Sequence, residues 1–245
     1  MKNLDGKVSI IIPTYNEEKY IDFSIRETVR AFNDFGCKYE IIIIDDGSSD
    51  NTYQKAVEFT SRYNNIIVKK NRSNYGKGRA LKKGFRYASG KYIVFLDADM
   101  DLHPEQLQTF FDIMKLDNAD VVIGSKRHPN SRLDYPLGRK IISDVYFFLI
   151  NFLFNLPVRD TQTGLKLFRY EVLKRVLPKI LIKKFAFDLE ILVNAHRLGY
   201  QIAEAPIVLT SQRRYGRIGL RAIYNTFIDT IAIWYRMYIL KYYNR

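Results

Sequence analysis

The stretch Glu40-Ile41-Ile42-Ile43-Ile44-Asp45-Asp46-Gly47-Ser48 decides the fold class. Four successive isoleucines without polar alternation are typical of a strand that is covered on both faces, as the strands of a parallel sheet are. The polar cluster that follows directly predicts that this strand ends at Ile44. The stretch therefore predicts a sheet that lies between two layers of helices.

The surrounding sequence repeats the same pattern, because short β-rich runs alternate with longer helical patterns through the first half of the chain. This alternation predicts βαβ units and an α/β fold with a mostly parallel sheet flanked by helices. The predicted strands are 8–12, 40–44, 66–69, 92–96 and 121–123, and the predicted helices are 19–35, 51–63, 77–88 and 104–114.

The second half of the chain changes in character after Gly124. A polar, basic loop is predicted at 125–139, followed by an apolar helix at 141–156 that is too short and too interrupted to span a membrane. The helix predicted at 220–241 has aromatic and aliphatic residues at steps of three and four and basic residues opposite them. Ordinary core packing explains most such faces, but the flanking cations favour seating of this last helix at a membrane interface.

The composition limits the class of protein and of partner. The 245 residues include 39 Lys and Arg against 26 Asp and Glu, a formal charge of +13 that predicts an anionic partner such as phosphate, nucleic acid or anionic lipid. With 47% apolar residues the chain is globular. The single cysteine, Cys37, excludes an internal disulfide framework. The first residues contain no apolar segment of signal-peptide length, so secretion is not expected.

Polar clusters follow three of the predicted strands directly, at 13–17, 45–48 and 97–99. In open α/β sheets ligands bind beyond the carboxyl ends of the strands, so these clusters are expected to meet there. The glycine fingerprint of dinucleotide-binding folds and the Gly-Lys-Ser/Thr phosphate loop are both absent from the sequence. Hydride transfer and nucleoside triphosphate hydrolysis therefore lose their main support.

The carboxylates of Asp97 and Asp99 can point to one side, because alternate residues of an extended segment do so. Oxygen ligands without a nearby cysteine or a histidine pair favour Mg²⁺ or Mn²⁺, completed by substrate phosphate oxygens and water. A turn whose acidic residues cap the next helix is the alternative interpretation. Asp101 is either a further ligand or a solvated side chain.

The polar clusters also carry a resemblance. P-T-Y-N-E at 13–17, D-D-G-S at 45–48 and D-A-D at 97–99, in this order and spacing, resemble the family 2 glycosyltransferases with the GT-A fold. R-D-T-Q-T-G-L-K-L-F at 159–168 and A-F-D-L-E at 186–190 are similar to the polyprenyl-phosphate hexose synthases. Within that group the dolichyl-phosphate glucosyltransferases are most similar and the dolichyl-phosphate mannose synthases next.

The resemblance implies a Rossmann-like GT-A catalytic domain over 1–218, with an apolar interface helix at 139–158, and a basic amphipathic helix over 219–245. It also implies a set of site residues. The residues expected to hold the nucleotide sugar are Pro13, Tyr15, Glu17, Asp45, Asp46, Asp97 and Arg213. The expected metal ligands are Asp97, Asp99 and Asp101, and the catalytic candidates are Asp97, Asp99 and Asp188.

The acceptor phosphate is expected to be bound by Lys126, Arg139 and Ser143, by analogy with two segments of the mannose synthases, whereas Arg127 is expected to be a solvated surface cation. Lys77, at the start of a helix, could approach the nucleotide or be solvated. Ile218-Gly219 replaces a Ser-Lys pair of the mannose synthases, which weakens both the mannose assignment and the role of Arg213.

The activity that the resemblance implies is inverting, metal-dependent transfer of a hexose to a polyprenyl phosphate by a peripheral protein on the cytoplasmic face of a membrane. UDP-glucose is the favoured donor and GDP-mannose the next. One alternative is a glycosyltransferase with a soluble or polysaccharide acceptor, although the Q-x-x-R-W pattern of processive synthases is missing. The other is a basic nucleic-acid-binding module, whose phosphate backbone the clustered carboxylates would repel, so no nucleic-acid partner is expected. Whether the chain forms a homo-oligomer is left open.

Overall fold

The computed structural model of this chain describes residues 4–133, 137–184, 186–210 and 220–244, with side chains from 143 and 223 onward in the helices that begin at 137 and 220. The strands are β1 (Val8–Thr14), β2 (Tyr39–Asp45), β3 (Ile66–Lys70), β4 (Tyr92–Phe95), β5 (Val121–Ser125), β6 (Arg132–Leu133), β7 (Lys166–Arg169), β8 (Ile202–Pro206) and β9 (Val208–Leu209). The helices are α1 (Ile21–Phe35), α2 (Thr52–Glu58), α3 (Lys77–Phe85), α4 (Leu107–Leu116), α5 (Leu137–Phe154), α6 (Tyr170–Val176), α7 (Phe187–Arg197) and α8 (Leu220–Trp234).

Seven of these strands form one sheet in the order β3-β2-β1-β4-β7-β5-β8, and β6 pairs with β9 beside it. The pairs β1–β2, β1–β4, β2–β3 and β5–β8 are parallel. Strand β7 is antiparallel to both of its neighbours, β4 and β5. The predicted α/β architecture with a mostly parallel sheet is confirmed.

The isoleucine run of β2 contacts both layers of the core. Ile42 and Ile44 belong to one hydrophobic cluster and Ile41 and Ile43 to the other, and all four side chains are fully buried. Alternate residues of a strand point to opposite faces, so a strand without polar alternation must be covered on both. The interpretation of this run as a two-sided buried strand is confirmed.

The five predicted strands all form, within two residues of their expected ends. The predicted helix at 51–63 is shorter, because α2 gives way to a 3₁₀ turn at Phe59–Ser61. The helix predicted from Pro104 begins with a 3₁₀ turn, capped by the His103 ring, before α4. The loop prediction for 125–139 was wrong in part, since that range contains β6 and the first residues of α5.

The two apolar helices of the second half lie against each other and against the core. The Tyr146 hydroxyl of α5 and the Thr230 hydroxyl of α8 are 3.0 Å apart, and Ile150, Phe154 and Ile233 are buried in one of the two clusters. After Trp234 the chain continues as a π-helical turn, Tyr235–Ile239. Among the described residues no helix combines the length and the hydropathy that a bilayer crossing requires.

Candidate active site at the carboxyl edge of the sheet

The loops that follow β1 and β2 are tied together by hydrogen bonds. The Asp46 amide donates to the Thr14 carbonyl at 2.8 Å, and the Asn16 amide donates to the Ser48 hydroxyl at 2.9 Å. Asn16 has a φ of 55°, a left-handed conformation that asparagine tolerates better than most residues. The first two sequence motifs therefore form one rigid edge of the site.

The loop that precedes α3 lies directly across this edge. Gly47 has a φ of 78°, and a Cβ atom there would lie 2.6 Å from the Ser73 carbonyl carbon, so the close approach requires glycine. The Asp46 carboxylate accepts from the amides of Tyr75 at 3.0 Å and Gly76 at 2.7 Å. Asp46 thereby fixes the backbone at the point where α3 begins.

Lys77, the first residue of α3, reaches the third motif. Its ammonium nitrogen lies 2.6 Å from Oδ1 and 2.8 Å from Oδ2 of Asp97. Burial alone would lower the pKa of Lys77, but the charges of Asp97, Asp188 and Asp99 outweigh that effect and raise the pKa above its ordinary value. Of the two interpretations of Lys77, the structure favours the one that places it in the site.

Asp97 is also in contact with the loop that precedes β7. A Cβ atom at Gly164 would overlap the Asp97 carboxylate, so this approach has no room for a side chain.

The fully buried Lys166 holds the same loop by donating to the Thr163 carbonyl, and it lies 3.0 Å from Asp188. Burial lowers the pKa of Lys166 despite the opposing charge of Asp188. No role was predicted for Lys166, although a lone lysine in the apolar run Leu165–Phe168 was a usable signal.

These groups surround a cavity of about 570 Å³, called here the large cavity. Its lining residues are Pro13, Thr14, Tyr15, Glu17, Asp46, Asn74, Gly76, Lys77, Ala80, Asp97, Ala98, Asp99, Gln162, Lys184 and Asp188. A second cavity of about 160 Å³, the small cavity, is lined by Asp97, Asp99, Asp101, Leu102, Lys126, Gln162, Thr163, Gly164, Ile207 and Leu209. Asp97, Asp99 and Gln162 line both cavities, so the two spaces meet at the third motif.

The structure brings most of the predicted site residues to these two cavities. Pro13, Tyr15, Glu17, Asp46, Asp97, Asp99 and Asp188 line the large cavity, and Asp101 and Lys126 line the small one. Lys184, which was not predicted, also lines the large cavity. The lysine pair at 183–184, one residue before A-F-D-L-E, was the signal that could have identified it.

Asp45 and Ser143 are not brought to either cavity. Asp45 is fully buried, accepts from the Ser48 amide at 3.2 Å and lies 3.8 Å from the Lys70 ammonium group. Its predicted contact with the donor is corrected, because successive residues at the end of a strand point to opposite sides and only Asp46 points to the cavity. Arg213 and the side chain of Arg139 lie outside the described residues.

The cations after β5 have different environments. Lys126 lies 3.6 Å from the buried Asp160 carboxylate at the edge of the small cavity. Burial alone would raise the pKa of Asp160, but Lys126 and hydrogen bonds to its carboxylate lower it instead. Arg127 pairs with Asp144 and donates to the Ser143 hydroxyl at 3.3 Å. The expectation of a solvated Arg127 was therefore wrong, since it joins this loop to α5.

The carboxylates fit a divalent cation only together with a ligand. Within the described ranges, no three acidic, imidazole or thiol side chains are grouped so that they could hold an ion by themselves. The predicted set of Asp97, Asp99 and Asp101 is thus not a preformed cage. Mg²⁺ and Mn²⁺ sites commonly use one or two carboxylates and take their other oxygens from substrate phosphates and water. Asp97 and Asp99, at the junction of the two cavities, match that donor set.

Comparisons with known proteins agree with the motifs. The sequence model of glycosyl transferase family 2 matches residues 9–177. The dolichyl-phosphate beta-glucosyltransferase of Dictyostelium discoideum is 33% identical over 214 residues, which are 82% of this chain, and the chain spans 65% of that relative's length. The resemblance to family 2, and within it to the dolichyl-phosphate glucosyltransferases, is confirmed.

Solved structures share the fold at lower identity. Glucosyl-3-phosphoglycerate synthase of Mycobacterium tuberculosis, in complex with Mn²⁺, UDP and glucosyl-3-phosphoglycerate, superposes with a TM-score of 0.71 at 22% identity over 93% of this chain and 79% of that one. The same enzyme with Mg²⁺ and UDP gives a TM-score of 0.70 at 20% identity over 94% and 78%. The expected GT-A fold is confirmed.

Proposed function

The chain belongs to glycosyl transferase family 2, and on that premise we propose that it transfers a hexose from a nucleotide sugar to the phosphate of a polyprenyl phosphate, with inversion at the anomeric carbon. UDP-glucose is the favoured donor and GDP-mannose the next. The observation that carries the proposal is the meeting of a large and a small cavity at Asp97 and Asp99. A transferase needs two binding spaces that meet where the bond is exchanged.

The large cavity is assigned to the donor. Its volume of about 570 Å³ lies within the range of small-molecule sites. Pro13, Tyr15, Glu17 and Asp46 would hold the nucleoside. Asp97 and Asp99 would hold a divalent cation that, when bound, offsets the negative charge of the diphosphate leaving group. A solved enzyme with the same fold was crystallised with Mn²⁺ and UDP, which supports the proposal that this fold can bind a nucleotide together with a divalent cation.

The chain's own cations support a diphosphate in the same cavity. Lys77 and Lys184 both line it, and a fixed positive charge near a departing diphosphate stabilises the charge that develops on it. Asp188 lies 3.0 Å from Lys166, and its charge also acts on Lys77. We propose that Asp188 holds these two lysine side chains in position.

The small cavity is assigned to the acceptor phosphate. Lys126 lines it together with Asp97 and Asp99 and would supply the positive charge that an anionic acceptor requires. A phosphate monoester oxygen is already anionic at neutral pH, so the attack needs no strong general base. Transfer to such an acceptor is a single displacement in which the phosphate oxygen forms the new bond to the anomeric carbon and the nucleoside diphosphate leaves.

The apolar tail of the acceptor is expected to lie at a membrane surface. On α5 the exposed side chains Val145, Phe148 and Phe152 recur at helical spacing. The C-terminal segment also exposes Tyr224, Phe227, Ile228, Ile231, Tyr235, Tyr238, Ile239 and Leu240. Exposed aromatic and aliphatic residues on helices of a protein with net charge +13 favour peripheral binding to anionic lipid. We place this binding on the cytoplasmic face of a membrane.

The test is incubation of the protein with radiolabelled UDP-glucose or GDP-mannose and a polyprenyl phosphate, with and without Mn²⁺. We expect label in the lipid fraction only with the lipid acceptor and the metal, and more from UDP-glucose than from GDP-mannose. Transfer to a soluble or polysaccharide acceptor alone would contradict the acceptor assignment.

Asp99→Ala should abolish transfer while leaving flotation with anionic vesicles unchanged. Asp112→Ala is the matched control, because Asp112 is an exposed carboxylate of α4 that lines neither cavity. Retained turnover in the Asp99 variant would remove the metal role. Tight binding to duplex DNA without lipid association would favour the nucleic-acid alternative instead.

A further inference from the structure

The position of Lys77 is electrostatically unusual for the helix to which it belongs. It is the first residue of α3, and no acidic residue stands in the first turn of that helix. A cation at a helix N-terminus is disfavoured by the helix dipole, by a few tenths of a kcal/mol to about 1 kcal/mol. The cost is offset across the cavity, where the ammonium group contacts both oxygens of Asp97 at 2.6 and 2.8 Å.

The backbone around Lys77 is held on three sides. Asp46 accepts from the Gly76 amide at 2.7 Å, and the Gly78 amide donates to the Lys183 carbonyl at 2.9 Å. A Cβ atom at Gly78 would lie 2.5 Å from the Phe187 ring, so α3 and α7 are in direct contact there. The backbone of Lys77 is therefore fixed, and its ammonium group can move away from Asp97 only by rotation about the side-chain bonds.

The contact with both Asp97 oxygens conflicts with metal binding. A Mg²⁺ ion bound by a carboxylate lies about 2.0–2.1 Å from an oxygen, so with the ammonium group still in place two cations would share one small carboxylate. The ammonium group of Lys77 must therefore leave the Asp97 carboxylate before a divalent cation can bind there. The other carboxylates that act on Lys77 are already engaged, because Asp99 would bind the same ion and Asp188 lies 3.0 Å from Lys166. The displaced ammonium group therefore needs a further anion in the large cavity to remain paired.

We propose that Lys77 is an exchangeable counter-cation: it occupies Asp97 when the site holds no donor, and it moves to the diphosphate of the donor when a divalent cation takes Asp97. The proposal rests on the proposed function for the presence of a nucleoside diphosphate. Its consequence is that each ligand strengthens the binding of the other. The metal ion frees Lys77 to pair with the diphosphate, and the diphosphate gives the displaced Lys77 a new anionic partner. Thermodynamic linkage requires the two effects to be equal in size.

The experiment measures Mn²⁺ binding by electron paramagnetic resonance and UDP binding by calorimetry, each with and without the other ligand. In the wild-type protein we expect weak Mn²⁺ binding alone and a strong increase with UDP. Lys77→Met should bind Mn²⁺ alone about tenfold more tightly, bind UDP with Mn²⁺ more weakly, and lose most of the coupling between them.

Two further variants make the result specific. Lys77→Arg keeps a cation beside Asp97 and should retain weak Mn²⁺ binding in the absence of UDP. Lys82→Met removes a charge from the same helix at a side chain that donates to the Ile180 carbonyl, outside both cavities, and should match the wild type.

The outcomes separate this inference from the proposed function. If the wild type binds Mn²⁺ and UDP together but Lys77→Met binds Mn²⁺ alone no more tightly than Lys82→Met does, the counter-cation role is wrong and the donor assignment stands. If the wild type binds neither UDP nor GDP at any Mn²⁺ concentration, the donor assignment itself fails, and the counter-cation role that rests on it fails too. Should Lys77→Met unfold, as circular dichroism would reveal, Lys77→Arg still decides, because tighter Mn²⁺ binding by that charged variant would overturn the inference.

Discussion

Gly164→Ala should separate ligand binding from folding more cleanly than any carboxylate substitution. An alanine Cβ at this position would lie 2.6 Å from the Asp97 Cγ atom, whereas ordinary contact begins at 3.4 Å. The Oδ2 atom lies closer still, so the Asp97 carboxylate or the 161–164 loop must shift by at least about 0.8 Å. A misplacement of about 1 Å in a positioned group costs on the order of 10²-fold in rate, which is about 2.7 kcal/mol of transition-state stabilisation.

The fold is expected to survive this change, because Gly164 and Asp97 meet at the cavities rather than inside either hydrophobic cluster. Mn²⁺-dependent UDP affinity, measured by calorimetry, should fall in step with transfer, while the urea midpoint changes little. Gly199→Ala is the control. Its φ of +83° makes an alanine strained, by about 1–2 kcal/mol, but its Cβ would meet nothing within 4 Å and lies away from the site.

The two variants thus have opposite signatures. Gly199→Ala should lose stability and keep nucleotide binding, and Gly164→Ala should do the reverse. Unchanged Mn²⁺ and UDP affinity in Gly164→Ala, with normal stability, would refute the inference that Asp97 must keep its present position to bind the donor complex.

Three further predictions concern regions away from the cavities. Glu190→Gln should destabilise the protein by about 2–3 kcal/mol in urea unfolding, because this buried carboxylate accepts from Arg236 and Tyr243. Tyr243→Phe, which removes the two hydrogen bonds of its hydroxyl to Glu190 and Arg236 but keeps the Arg236–Glu190 ion pair, should cost less, about 1–2 kcal/mol, and equal losses would contradict the contribution of the ion pair. Burial alone would raise the pKa of Glu40, but hydrogen bonds from Lys7 and from neighbouring serines lower it below its ordinary value of 4.5. The stabilisation by this carboxylate is therefore present above that value and disappears as the pH falls through the lowered pKa. Glu40→Gln should reduce the loss of stability in thermal melts from pH 6 to pH 3, and an unchanged loss would assign it to other groups. Phe152→Ser, at a ring that is 87% exposed, should leave the unfolding free energy within about 0.5 kcal/mol and weaken vesicle flotation by about 1 kcal/mol of binding, whereas undiminished flotation would remove α5 from the membrane contact.

The parts of the fold that were predictable are those with a one-dimensional signal. The isoleucine run of β2 is typical of a strand covered on both faces, and the polar clusters after β1, β2 and β4 are expected at one edge once the sheet is parallel. Hydrophobic periodicity and strand order along the chain contain that information. The same reasoning predicts that Asp46 and Asp97 lie close together, and both line the large cavity.

The contacts of single charged residues were not predictable in the same way. Asp45 and Asp46 are adjacent and chemically identical, yet one pairs with Lys70 in the interior and the other lines the cavity. The difference depends on the register of β1 and β2, in which Thr14 is paired with Asp45. Arg127 was expected in solvent for a similar reason, since nothing in the loop sequence indicates that α5 presents Asp144 to it.

The direction of β7 is the most consequential feature that the sequence does not predict. Lys166, its first residue, is paired with Phe95 of β4 and with Ile123 of β5. Because β7 is antiparallel to these strands, it begins at the edge where they end, and the loop before it arrives at Asp97. A parallel β7 would carry that loop to the opposite edge, and Gly164 and Lys166 would have no part in the site. The T-Q-T-G-L-K motif therefore acquires its position from strand direction, a long-range property that four residues of strand cannot encode locally. It follows that the buried Lys166–Asp188 pair joins this strand to α7 beside the large cavity, which Asp188 lines.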